Sequence, residues 1–144
     1  MAVSISTISQ DVWDTIRTIL SNDTTLSNNV NYIGGAYPQK FIDDAGGLPF
    51  IVIHKPNISE TRYTFTKKTY NIEIDIECFA DTAAKLKLIS DAVRNALETN
   101  QSTTRNVNAM FNFTVIGEAE DFDLRNNKRI HINRMTCSYA YRGA

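Results

Sequence analysis

Reactive and metal-ligating side chains are scarce in this sequence. Its 144 residues include two cysteines, Cys78 and Cys137, and two histidines, His54 and His131. No CxxC pair or Cys/His cluster accompanies the cysteines, which excludes a zinc ribbon and a disulfide scaffold. Both lie in strand-like segments and read as buried free thiols of a cytosolic protein. Each histidine sits inside a strand-like run without a carboxylate three or four residues away, so neither a helical zinc site nor a Ser–His–Asp set can be assigned. The pairs Gly34-Gly35 and Gly46-Gly47 are not followed by Lys-Ser/Thr, and no GxGxxG occurs. Turn geometry accounts for them, and a phosphate-binding loop does not. No stretch approaches the ~20 apolar residues of a membrane span. Met1 to Ser9 lacks the positive n-region of a signal peptide, so synthesis and use in the cytoplasm, with no membrane partner, are expected. Net charge is −1, so no global basic field draws nucleic acid. There is no internal repeat and no low-complexity tail.

What is present is ordinary globular composition, with 42% hydrophobic and 22% charged residues. The length fits one domain, residues 1–144, that buries roughly two thirds of its unfolded surface without disulfide or metal. Ile5, Ile8, Val12, Trp13, Ile16, Ile19 and Leu20 recur at helical spacing and predict a helix over residues 6–21, ended by the poor helix formers Ser21-Asn22-Asp23. Leu26 to Gly47 reads as a long connecting loop, with a candidate short strand near Val30 to Ile33. Leu48 to His54 is a continuous apolar run and therefore a buried strand. Lys55 to Lys68 is polar, with a candidate strand over Arg62 to Phe65. In Thr69 to Phe79 the alternation is clear: Tyr70, Ile72, Ile74, Ile76 and Cys78 share one face, and Asn71, Glu73, Asp75, Glu77 and Phe79 the other.

Asp81-Thr82 opens a second helix running to about Glu98, with the stripe Leu86, Ile89, Val93, Ala96 and Leu97. Thr99 to Asn108 is expected as a polar loop, Phe111 to Gly117 as a strand, Glu118 to Lys128 as a charged turn and Arg129 to Arg142 as the last strand. There Ile130 and Ile132 have one parity and Met135, Cys137, Tyr139 and Tyr141 the other, which a β-bulge near Asn133-Arg134 would reconcile. The expected fold is α+β: an antiparallel sheet of about four strands, two helices packed on one face, and a long protruding hairpin.

Candidate functional residues are candidates for contact. The hairpin loop carries Arg62, Tyr63, Phe65, Lys67 and Lys68, the aromatic and basic types enriched where proteins dock. Basic–aromatic interleaving also suits single-stranded nucleic acid, but the acidic strand that follows would repel a phosphate backbone. Glu73, Asp75 and Glu77 stand on one strand face at ~7 Å intervals, too far apart to chelate one ion unaided. They read as a solvated face, or as an acidic lumen or inter-subunit face. The last hairpin is bipolar: Glu118, Glu120, Asp121 and Asp123 precede Arg125, Lys128, Arg129 and Arg134. That pattern suits either an ordinary exposed hairpin or a head-to-tail contact between copies.

The order of these segments carries a resemblance. Gln10-Asp11-Val12-Trp13-Asp14-Thr15-Ile16 comes first, then Leu48-Pro49-Phe50-Ile51-Val52-Ile53 and a long hairpin. Tyr70-Asn71-Ile72-Glu73-Ile74-Asp75-Ile76-Glu77-Cys78-Phe79 follows, with a Phe79-Ala80-Asp81 step into the helix Leu86 to Leu97, and a closing unit that ends Tyr139-Ala140-Tyr141-Arg142. Over nearly the whole chain this pattern resembles the tail terminator (tail-completion) proteins of long-tailed bacteriophages. The resemblance implies a non-enzymatic virion protein that needs no cofactor or metal. It implies a homo-oligomer, a hexameric ring, that caps the tail tube protein, stops tube polymerisation and offers a surface to the head–tail connector protein. DNA would be only passing cargo, and the protein would be assembled in the host cytoplasm into the virion tail. The alternatives are another tail or head–tail joining component, such as a tube subunit or neck protein, a small ligand-binding α+β domain, or a nucleic-acid-binding ferredoxin-like module.

Overall fold

The computed structural model describes residues 3–62 and 68–142, Arg62 and Val107 by their backbone alone. Among them are five α-helices, a short 3-10 turn and six strands. Helix α1 spans Ile8–Asn22 and buries Val12, Ile16 and Leu20 completely. Its entry is tied by Asp11, whose Oδ2 accepts from Ser4 N at 2.9 Å and from Thr7 Oγ1 at 2.7 Å. Asp23 closes α1 with its N–H and caps α2, Thr24–Asn29, with its carboxylate on Leu26 N. The stop signal at residues 21–23 is therefore a corner between two helices.

Strand β1, Tyr32–Gly34, precedes helix α3, Gln39–Asp44. Pro38 stands at the N-cap of α3, and Ala45 leaves it with φ 59° while Gly46 N bonds back to Lys40 O. Strands β2, Phe50–Ile53, and β3, Asn57–Arg62, pair antiparallel with successive parts of β4, Lys68–Ala80. Helix α4, Ala83–Thr99, starts at Thr82, whose hydroxyl accepts from Lys85 N. Helix α5, Gln101–Asn108, leads into β5, Met110–Arg125, and β6, Lys128–Arg142. The sheet order is β1-β2-β4-β6-β5, with β3 beside β4, and β1 runs parallel to β2.

The face of the sheet carrying Ile51, Ile53, Tyr70, Ile72, Ile74, Ile76, Cys78, Met135, Cys137, Tyr139 and Tyr141 is covered by α1, α2 and α4, which form the main core with it. Part of the opposite face has its own small core of Phe41, Ala45, Phe50, Val52, Phe79, Ile130 and Ile132, roofed by α3. Phe50 and Phe79 stack there at 4.6 Å, and Phe41 meets Phe50 edge-on at 4.9 Å.

The expected architecture is thereby corrected. The sheet has six strands and is mixed, and five helices accompany it, with one of the short ones on the second face. The segment expected as a protruding hairpin belongs to the sheet, where β4 pairs with β3 on one edge and β6 on the other. The extra elements are short and paired by distant segments, so no long periodicity announces them. Nor does a bulge break β6. Its register with β4 is continuous from Thr69↔Arg142 to Ala80↔His131. The two apolar parities are real because Ile130 and Ile132 face the α3 core while Met135, Cys137, Tyr139 and Tyr141 face the main core. The register shifts lie in β5, between Phe111 and Thr114 and between Val115 and Gly117. Residues expected as a charged turn belong to strand: β5 runs to Arg125, and the turn is Asn126-Asn127, with φ 51° and 61°. Two left-handed residues are what a two-residue hairpin loop requires. The polar loop after α4 is likewise helix α5. Thr104 and Asn108 are buried in it, and Asn108 Nδ2 donates to Thr15 Oγ1 at 3.4 Å. The helix has no apolar stripe and packs against β5 and α4, with this bond reaching across to α1.

Candidate functional site

The sequence-predicted contact residues fall in three places. Arg62 and Lys68 are backbone partners at the loop end of the β3–β4 pair. Tyr63, Phe65 and Lys67 lie outside the described residues. The Lys68 ammonium is 3.1 Å from Glu60 Oε2, so this cation is engaged within its own hairpin.

Glu73, Asp75 and Glu77 share the second sheet face but not one environment. Glu73 and Asp75 are exposed, and Asp75 Oδ1 accepts from Thr136 Oγ1 at 2.6 Å. Around them this part of the face is uncovered and polar, with Asn71, Ser59 and Asn57 exposed beside them. Glu77 is buried. It accepts from Nε2 of His54, the residue just after β2, and from Arg134 Nε on β6, the latter at 3.0 Å. The bond to Glu77 raises the Arg134 pKa. Arg134 reaches on to Asp121 Oδ2 at 3.5 Å, so one polar chain crosses β2, β4, β6 and β5.

The third group lies along the β5–β6 ribbon. Glu120, Asp121, Asp123, Arg125 and Lys128 are all exposed. Asp121 and Asp123 also turn onto their own backbone, accepting from Phe122 N and Leu124 N at 2.8 Å each. Arg125 lies 4.8 Å from the centre of the Phe41 ring. Sequence reasoning missed Ile116, Phe122 and Leu124, which are 54%, 56% and 64% exposed on this ribbon. Reading residues 118–128 as a turn concealed Phe122 and Leu124, although the alternation Glu120, Phe122, Leu124 against Asp121, Asp123, Arg125 is a strand pattern.

Nothing in the described structure assembles a reaction centre around the histidines. Clefts of about 440 Å³ beside α1 and α5 and about 510 Å³ between α5 and β5 are lined by neither His54 nor His131. Among the described residues no group of three His, Cys, Asp or Glu side chains could hold a metal ion. Cys78 and Cys137 are free and buried, and burial pushes both thiols up to about 12. No helix among the described residues is long and apolar enough to cross a membrane.

No protein-family profile and no curated protein matches the chain in sequence. In three dimensions it is similar to a chain in the virion of a native gene transfer agent particle. The TM-score is 0.61 at 12% identity, over 87% of this chain and 90% of that one. At that identity the likeness is one of fold, and it extends over nearly the full length of both chains.

Proposed function

We propose that this protein is a non-enzymatic structural component of a phage-type tail, and within that class a tail terminator. In this reading six copies form a ring that caps the tail tube, ends tube polymerisation and presents a surface to the head connector, with DNA passing through. The carrying observation is the fold shared with a chain of a gene transfer agent virion over most of both lengths. The distribution of charge supports the finer role. Glu73 and Asp75 stand on an open sheet face, where they suit a channel wall that repels DNA. The two hairpins carry unlike patches: Arg62, Lys67 and Lys68 stand around the first loop, and Glu120, Asp121 and Asp123 lie along β5 behind the basic turn of the second. Head-to-tail contacts between unlike patches close rings, and several modest contacts acting together hold a tube end firmly.

The test combines assembly with mass. Purified protein is examined by electron microscopy and by solution mass across concentration, alone and with tail tubes. Rings, alone or seated on tube ends, are expected, and tubes lacking the protein should grow past their normal length. Reversal of Arg62, Lys67 and Lys68 to Glu should leave the circular dichroism unchanged and impair tail assembly. Open-ended tubes formed by the protein alone would make it a tube subunit instead. Normal tails in its absence would refute the terminator role.

A further inference from the structure

We infer that the outer edge of β5, over residues 118–124, is a strand-addition site for a cationic extended segment of another protein. The inference rests on the open edge and not on the virion role proposed above, so either can fail alone.

The geometry follows from the turn. A two-residue loop at Asn126-Asn127 makes Arg125 and Lys128 a mutually hydrogen-bonded pair, and hydrogen-bonded pairs then alternate along the ribbon. Residues 123, 121 and 119 therefore point their N–H and C=O toward β6. Residues 124, 122, 120 and 118 point theirs outward, where among the described residues no strand lies. This is an open edge on an exposed stretch of a 16-residue strand. Such edges pair with another chain unless something guards them.

Two of its outward donors are guarded. Phe122 N and Leu124 N are held by the carboxylates of Asp121 and Asp123. With Glu120 beside them, and Glu118 held by Arg94 and Asn133, these carboxylates set like charge against like if a second β5 approaches, which disfavours β5-to-β5 pairing. An incoming strand bearing Lys or Arg on alternate residues meets the opposite situation. Its carbonyls take the N–H groups of Phe122 and Leu124, and the displaced carboxylates turn to its cations. Leu124 and Phe122, more than half exposed on one face, supply apolar contact for the residues between, with the Arg129 guanidinium over the Phe122 ring at 5.0 Å.

The probe is a designed peptide alternating lysine and valine, tested on the full chain by titration and by amide hydrogen exchange. Salt-sensitive binding that slows exchange at Phe122 and Leu124 is expected. The same peptide N-methylated on alternate backbone amides keeps its charge and loses its ladder, and should bind at least about tenfold more weakly. Glu120→Pro removes an outward donor without touching the bonds to β6, and should weaken binding similarly. Equal binding by the N-methylated peptide would reduce the effect to charge attraction and overturn the proposal, and this arm decides even if Glu120→Pro fails to fold. Equal binding by a glutamate–valine peptide would overturn the cationic preference. Self-association of the unmodified protein that protects the same amides would assign the edge to a second copy and also overturn it.

Discussion

Replacing Phe41 with alanine isolates the small core on the second face of the sheet. The Phe41 ring is 4% exposed and touches three other aromatic rings, Phe50 at 4.9 Å, Phe79 at 5.6 Å and Tyr37 at 5.9 Å, with the Arg125 guanidinium above it. A buried Phe→Ala change costs about 3–5 kcal/mol. The lower end applies here, because α3 is six residues long and the half-exposed Tyr37 can move into the gap. About 3 kcal/mol is a large share of the roughly 5–15 kcal/mol that a domain holds in reserve. For a chain of this length it corresponds to a Tm lower by about 6–12 °C. Urea denaturation read by circular dichroism gives the free energy, and an unchanged slope would show that the unfolded state is not altered. Amide exchange should accelerate first in α3 and β2, with the main-core strand β4 following at the lower global stability. The double variant Phe41→Ala/Phe79→Ala should fall short of additivity by about 1 kcal/mol, as for aromatic pairs in contact. A loss below about 1 kcal/mol for Phe41→Ala alone would refute the claim that α3 is anchored by this cluster.

Two further outcomes follow from polar groups. Glu77→Ala strips His54 and Arg134 of a shared buried acceptor and should cost about 1–2 kcal/mol in chemical denaturation, a value held down because the Arg134 side chain is half exposed and can rehydrate. A loss under about 0.5 kcal/mol would mean that this four-strand chain carries no stability. Asp11→Ala should cost about 1 kcal/mol at neutral pH by freeing Ser4 N and the Thr7 hydroxyl. The Thr7 hydroxyl first, and the Ser4 N–H second, hold the Asp11 pKa below 3.8. The carboxylate's contribution is therefore complete above that value and is lost as pH falls through the lowered folded pKa, so wild type and variant should converge in acid. Denaturation curves from pH 7 to pH 2 measure the gap, and a gap that widens in acid would contradict the assignment.

Parts of the contact surface were legible and parts were not, for reasons visible in individual residues. Glu73, Asp75 and Glu77 were placed on one face by strand alternation alone. That Glu77 is buried between His54 and Arg134 depends on β2 and β6 arriving beside β4, which no local pattern states. The charges of residues 118–128 were recognised, but their conformation was not. Exposed residues line both sides of the β5 ribbon there, so the short alternation of Phe122 and Leu124 with Asp121, Asp123 and Arg125 marks no buried face, and the charge density reads as a turn.

The sequence by itself determined α1, α4 and the buried face of β4, because each lies against one core and burial on one side prints its period into the chain. It also determined the two parities of β6 and the lack of any recognisable catalytic motif. Only the tertiary structure decided that both parities are used without a bulge, that β1 runs parallel to β2, that α3 covers the second face, and that β5 stays open along its outer edge. Those features are pairings between segments far apart in the chain. Hydrophobic periodicity records that a residue is buried, while the identity of the segment that buries it is set by which surfaces meet when the whole chain packs.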